Sequence, residues 1–167
     1  MTSTTTYSHA EVEADPSAPI IRITRDFQAT PAQLMAAHTD PELFVRWVGP
    51  DGMDATVGAW DARNGGEWRY VATRDGNAYA FRGCFHEITD TRIVQTFAFE
   101  GMPEAVSLET IRFEALDAAT TRMHAQSLVE SFAARDAWLA SGMESGVHQG
   151  FGKLDALLAG SNDPTGR

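Results

Sequence analysis

Residues 142–158 read GMESGVHQGFGKLDALL, and this stretch decides how the rest of the chain is interpreted. Its apolar residues recur at intervals of three and four, which is the spacing of one face of an α-helix. They are Met143, Val147, Phe151, Leu154 and Leu158. Four glycines interrupt the same stretch, and each interior glycine costs a helix about 1 kcal/mol relative to alanine. The pattern predicts one amphipathic helix whose first half is weakened by glycine.

Upstream of this helix, short runs of alternating apolar and polar residues are separated by turn residues, as in β-strands. A first strand is predicted at IIRITRDF, residues 20–27. Thr30-Pro31 and Asp40-Pro41 then provide the cap and first-turn residues of two short helices. Six further strands follow between residues 53 and 130, and a short helix is predicted over residues 135–139. Consecutive hairpin-linked strands followed by one long helix predict an α+β fold, in which an antiparallel sheet is covered by that helix.

The chain has 167 residues, a length typical of one domain with a core of its own. Residues 1–19 are rich in Ser, Thr, Ala, Pro and acidic residues, so a flexible N-terminal tail is predicted there. The single domain is expected over residues 20–160, followed by a frayed C-terminus at 161–167.

The chain is acidic, with a net charge of -10 and a pI near 4.8. Such a surface repels nucleic acid and anionic lipid, so neither is expected as a partner. The first residues lack the features of a secretory signal, and no apolar run approaches the ~20 residues of a membrane span. With Cys84 as the only cysteine, no intrachain disulfide is possible, and a cytoplasmic location is expected.

Five stretches of the sequence resemble one known superfamily in their order and spacing. They are RITRDFQATPAQLMAAHTDPELFVRWVGPDG, DARNGGEWRY, FRGCFHEITDTRIVQTF, ETIRFEALDAATTRMHAQ and GMESGVHQGFGKLDALL. Together they cover roughly residues 20 to 159 and resemble the SRPBCC superfamily, also called the START-like or helix-grip fold. Within it, the chain is most similar to the activator of heat-shock protein 90 ATPase homologue-like branch.

The resemblance implies a curved antiparallel sheet of six to seven strands that grips the C-terminal helix, with a cavity between them. Such domains commonly bind or process hydrophobic small molecules, and the branch is named after a co-chaperone. Relatives usually carry a tryptophan after the glycine of the terminal helix, where this chain has Gly146 and Val147. Either Trp138 or another aromatic residue fills that space, or the cavity is larger here.

The leading hypothesis is a cytoplasmic, cofactor-free domain that binds a hydrophobic or aromatic small molecule between sheet and helix. Bulky residues that alternate onto the covered face of the sheet, together with residues of the helix, are the candidate ligand-binding set. The set is Trp47, Trp68, Tyr70, Phe81, Phe97, Met123, Val147 and Phe151. Tyr70 and Gln95 carry polar groups at positions that favour an inward orientation. No metal site is expected, because no two histidines have a metal-ligand spacing.

Two alternatives stay open. The first is an enzyme of the polyketide cyclase or hydrolase kind on the same fold, although the sequence contains no nucleophile elbow and no phosphate loop. Charged residues within the strands, namely Glu67, Arg69, Glu87, Glu109 and Arg112, are interpreted mainly as cross-strand ion pairs. One or two of them could point inward as an acid, a base or an anchor. The second alternative is a co-chaperone-like interaction module, and a homodimer is also possible.

Overall fold

The computed structural model describes residues 5–161 and contains one antiparallel sheet with four helices in that part of the chain. The elements in chain order are β1 (Glu11–Ala14), β2 (Ile20–Phe27), α1 (Pro31–Thr39), α2 (Pro41–Phe44), β3 (Asp54–Trp60), β4 (Glu67–Arg74), β5 (Asn77–Ile88), β6 (Arg92–Phe99), β7 (Val106–Ala115), β8 (Thr121–Leu128), α3 (Phe132–Ala140) and α4 (Met143–Ser161). The strand order is β1-β2-β8-β7-β6-β5-β4-β3. This architecture confirms the predicted α+β helix-grip fold.

The sheet is a meander from β3 to β8, in which each strand pairs with the next one along the chain. The strand β2 then pairs with β8, for example through Ile23 opposite Ala125. Two register shifts, between Val57 and Trp60 and between Phe85 and Glu87, interrupt the regular pairing. Such bulges increase the local twist and bend the strands that contain them, which helps the sheet curve around its helices.

The eighth strand, β1, lies inside the stretch for which the sequence predicts a flexible tail, residues 1–19. Glu11 pairs with Thr24 of β2, and the backbone N–H of Tyr7 donates to the carboxylate of Asp26. Without β1, the strand β2 would expose an unpaired edge. The sheet therefore has eight strands, whereas six to seven were expected. Residues 1–4 and most of the predicted frayed end at 161–167 lie outside the described residues; Ser161 is the last residue of α4.

The two predicted helix starts after β2 are confirmed. The hydroxyl of Thr30 accepts a hydrogen bond from the backbone of Gln33, whose side chain accepts one from the backbone of Thr30. This is a capping box, and it fixes the first turn of α1. Asp40 caps α2 with its side chain, which accepts a hydrogen bond from the backbone N–H of Glu42. Trp47 and Trp60 then donate their indole N–H groups to the carbonyls of Ala37 and Thr39, which satisfies carbonyls at the end of α1.

The long helix α4 is attached to the sheet by its second half. Leu154 is fully buried and Phe151 and Leu158 are nearly so, as the spacing of the apolar residues predicts. The guanidinium of Arg25 on β2 donates two hydrogen bonds of 2.6 Å each to the carboxylate of Asp155. No helix within residues 5–161 is long and apolar enough to cross a membrane.

The glycines near the start of α4 have different structural roles. Gly142 has φ +84°, a left-handed conformation that separates α3 from α4 and that favours glycine. A Cβ atom on Gly150 would lie 3.3 Å from the carbonyl oxygen of Trp47, whereas one on Gly146 or Gly152 would have no neighbour within 4 Å. Close packing therefore accounts for Gly150 alone, and open space lies beside the other two.

Candidate functional site

A pocket of about 190 Å³ lies between the inner face of the sheet and the helices. Side chains from β2, β3, β4, β6, β7 and β8 line it, and α1, α2 and the segment after α2 provide the opposite wall. Phe151 is the one α4 residue of the described chain that contributes to the lining. The glycine-weakened first half of α4 contributes no lining residue among the described residues, and the segment that contains Trp47 and Val48 forms part of this wall.

Six of the eight candidate residues line this one pocket: Trp47, Trp68, Tyr70, Phe97, Met123 and Phe151. The other two, Phe81 and Val147, are partly buried against the core and do not belong to the lining that the described residues form. Phe81 stacks behind Tyr70, with ring centroids 5.1 Å apart and planes inclined by 26°. The fold thus brings most of the set together, and it places Phe81 one layer away.

The position of Trp68 on the aromatic side of the pocket depends on the absence of a side chain at Gly83. Trp68 is stacked on Tyr70 at 5.9 Å and lies over Gly83 of the neighbouring strand. A Cβ atom on Gly83 would be 1.9 Å from the carbonyl oxygen of Thr96 and 2.6 Å from the indole of Trp68. Any other residue at position 83 would push either the β6 backbone or the indole out of place.

Trp138 and Trp47 each contact an aromatic residue that lines the pocket. Trp138 of α3 is stacked on Phe97, with centroids 6.5 Å apart and planes inclined by 14°. Trp47 and Phe151 face each other at 6.4 Å. The ring of Trp138 thus covers one lining residue of the pocket from the α3 side.

Glu109 of β7 is the charged strand residue that faces the pocket, whereas Arg69 and Glu87 form ion pairs with Glu100 and Arg92. Its carboxyl group accepts hydrogen bonds from the amide of Gln95 (3.1 Å) and the hydroxyl of Ser127 (3.3 Å). Burial raises the pKa of Glu109, and these two hydrogen bonds oppose that effect only in part. The neutral carboxylic acid is therefore favoured to a higher pH than in an exposed glutamate.

His38 of α1 reaches the pocket from the opposite wall. Its Nδ1 lies 2.8 Å from the carbonyl oxygen of Leu34, and since a carbonyl only accepts, Nδ1 carries the proton in the neutral ring. The other nitrogen, Nε2, is then a hydrogen-bond acceptor. Burial lowers the pKa of His38 from 6.5 to about 4, so the imidazole is neutral at physiological pH.

The sequence contained a signal for Glu109 but none of comparable strength for His38. Glu109 alternates in phase with Ile111 and Phe113 on β7, and Phe113 is buried, so the period of the strand places all three on the covered face. His38 lies at the end of a helix with a weak apolar stripe. Its burial depends on the rings of Trp47 and Phe113, which lie 4.9 Å and 5.2 Å away and are distant in sequence.

Several solved structures are similar to this chain over most of its length. A crystal structure from Rhodobacter sphaeroides is 26% identical and covers 92% of this chain and 100% of its own, with a TM-score of 0.79. A solution NMR structure from Arthrobacter aurescens is 27% identical over 89% of this chain and 91% of its own, with a TM-score of 0.81. A crystal structure from Mycobacterium smegmatis is 26% identical over 89% of this chain and 95% of its own, with a TM-score of 0.79.

Among curated proteins, none matches this chain. The family model described as "Activator of Hsp90 ATPase homolog 1-like protein" matches residues 28–159, which run from the end of β2 to the last turns of α4. That range contains α1, the meander and α4, and it includes every residue that lines the pocket except Ile23. The chain therefore belongs to the family of activator of Hsp90 ATPase homolog 1-like proteins.

Proposed function

We propose that this protein binds an uncharged hydrophobic or aromatic small molecule in the pocket between its sheet and its helices. The observation that carries the proposal is the composition of the lining, which joins the rings of Trp47, Trp60, Trp68, Tyr70 and Phe97 to a few polar groups. Sites for small molecules in proteins are concave and mostly apolar, and a small number of polar groups fix the orientation of the ligand. Cofactor chemistry has no part in this proposal.

The floor of the pocket also supports binding, because small and partly buried residues occupy it. Ala125 of β8 lies directly between Ile23 on β2 and Ile111 on β7, and all three line the pocket. Each of these three residues keeps some accessible surface. Because their side chains lie on the inner face of the sheet, this surface faces the space between the sheet and the helices. A ligand that covers this apolar surface gains about 25 cal/mol for each Å² removed from water.

A larger side chain that occupies the pocket is expected to weaken ligand binding strongly. The variant Ala125→Phe adds a phenyl ring at the centre of the floor, so the affinity for cumene, a small apolar aromatic probe, should fall at least about tenfold. A titration followed by the indole N–H signals in NMR spectra measures it. His124→Phe is the matched control. His124 precedes Ala125 on β8, its side chain contacts the carboxylate of Glu114, and it does not line the pocket. Equal cumene affinity in both variants would contradict the proposal.

An enzyme of the cyclase or hydrolase kind is the second candidate, and Glu109 is the observation that favours it. A carboxylic acid that burial keeps neutral can donate a proton to a reacting oxygen. His38 supports it less, because an imidazole with a pKa of about 4 is a weak base at neutral pH. Exchange of the acetophenone methyl protons for deuterium tests this candidate. Catalysis predicts faster exchange with the wild-type protein than with Glu109→Leu, and equal rates would exclude Glu109 as the acid for this reaction.

We also propose that the protein acts in the cytoplasm, which is supported by its single, unpaired and exposed cysteine, Cys84, since disulfides are rare in reducing compartments. A co-chaperone-like role has weaker support. Leu108 and Leu128 lie opposite each other on the outer face of β7 and β8 and are 43% and 37% exposed, which is a small apolar patch. The inner pocket therefore carries the functional proposal.

A further inference from the structure

The pocket contains a hydroxyl group without a hydrogen-bond partner. Tyr70 lines the pocket and is 7% exposed, and its oxygen makes no hydrogen bond within residues 5–161. Its ring is stacked between Trp68 and Phe81, which holds the hydroxyl oxygen in place at the pocket. An acceptor atom of a ligand in the pocket could therefore receive a hydrogen bond from this hydroxyl.

Glu109 is close enough to Tyr70 for its charge to raise the pKa of the phenol further. In its neutral form, the carboxyl group of Glu109 carries one proton. Gln95 and Ser127 both donate to its oxygens, so this proton has no acceptor among the described residues. Glu109 also has no ion pair with a lysine, arginine or histidine in the described part of the chain, which agrees with a neutral group.

We infer that Glu109 and Tyr70 together bind an uncharged oxygen acceptor of the ligand, such as the carbonyl oxygen of an aromatic ketone or aldehyde. This assignment rests on the proposed binding function and adds the chemical class of the ligand. The aromatic lining holds the ring of the ligand, and the two O–H groups, which line the same pocket from β4 and β7, donate to its oxygen. Buried donors of this kind discriminate strongly against a ligand that lacks the matching acceptor.

Other ligand classes fit these groups less well. A carboxylate in this pocket would be a buried charge with no cation to balance it, in a protein of net charge -10, and such burial is expensive. A neutral amine nitrogen has a single lone pair, so it could accept only one of the two hydrogen bonds. A purely apolar ring would fill the space but would leave both O–H groups unpaired. The carbonyl oxygen has two lone pairs and can accept both hydrogen bonds.

Three probes of the same shape test this inference: acetophenone, cumene and benzoate, each a benzene ring with one branched substituent. Their affinities are measured by NMR titration of the wild-type protein at a series of pH values from neutral to mildly acidic, because the raised pKa of Glu109 favours its neutral form as the pH falls. We expect acetophenone to bind about tenfold more tightly than cumene, which corresponds to about 1.4 kcal/mol. Benzoate is expected to bind most weakly. Equal affinities for acetophenone and cumene would overturn the inference and leave the binding function intact, whereas a failure of all three probes to bind would contradict the binding function itself.

Variants of Glu109 separate hydrogen bonding from shape. Glu109→Gln retains an oxygen and an N–H donor, so the preference for acetophenone over cumene should persist. Glu109→Leu removes both, and the preference should fall to about parity while cumene still binds. Should Glu109→Leu not fold, Tyr70→Phe provides the same comparison, with a several-fold loss of the preference expected. A preference that is unchanged in Glu109→Leu or Tyr70→Phe, or lost in Glu109→Gln, would overturn the donor assignment.

Discussion

Replacing Leu154 with alanine is expected to lower the free energy of unfolding by about 3–5 kcal/mol. Leu154 is fully buried and belongs to the core cluster that joins α4 to the sheet and includes Phe27 and Phe151. The substitution would remove the buried apolar surface of the leucine side chain. It would also leave a cavity in the core, which the surrounding residues can close only in part. Urea denaturation followed by tryptophan fluorescence measures the change.

The matched control for this prediction lies two residues earlier in the same helix. Gly152 is exposed, and a Cβ atom there would meet nothing within 4 Å. Gly152→Ala should therefore raise the free energy of unfolding by up to about 1 kcal/mol, because alanine restricts the unfolded chain and favours the helix. A loss below about 1 kcal/mol for Leu154→Ala would mean that α4 is not held by this contact.

Acidification is expected to remove about 3 kcal/mol of stability through His38. Its pKa is about 4 in the folded protein and 6.5 when exposed, so the unfolded chain binds a proton over that range and the folded protein does not. Stability therefore decreases as the pH falls from 6.5 toward 4. At about 1.4 kcal/mol for each pH unit, the full interval corresponds to about 3 kcal/mol. Urea denaturation at a series of pH values measures this dependence.

The contribution of His38 is isolated by comparison with His38→Phe. The substituted ring can pack between Trp47 and Phe113 but cannot titrate, so the difference in stability between the two proteins should change over the stated range. Glu109, on the opposite wall, has the reverse effect. Because its pKa is raised in the folded state, it stabilises the protein fully below its usual pKa of 4.5 and loses that contribution as the pH rises. A pH-independent difference between wild type and His38→Phe would show that His38 is solvated.

His38 is one reason why we propose binding ahead of acid–base catalysis. Enzymes tune an acid and a base toward the working pH. Here burial raises the pKa of Glu109, which is a shift in that direction, but it lowers the pKa of His38 to about 4, away from the working pH. A pocket with neutral polar groups and aromatic walls favours an uncharged ligand, which agrees with the acceptor-bearing ring that we propose.

The sequence by itself determined the elements whose signals are local. Thr30 and Asp40 define the starts of α1 and α2 because a cap depends only on the next two or three residues. The strands of the meander follow from alternation and turns, and the core contacts of α4 follow from the spacing of Phe151, Leu154 and Leu158. Part of the pocket lining was predicted for the same reason, since Trp68, Tyr70, Phe97 and Met123 alternate onto the covered face.

Only the tertiary structure decided the features that depend on contacts between distant residues. β1 forms because β2 presents an unpaired edge. The four residues of β1 have low hydrophobicity, so their sequence does not indicate that they pair with this edge. Phe81 and Val147 have the correct periodicity, but the curvature of the sheet and the position of Trp47 place other residues around the pocket. The pKa shifts of Glu109 and His38 also depend on burial by segments far along the chain. A residue's period fixes which face it occupies, whereas the packing of the whole chain fixes what lies opposite that face and how much water reaches it.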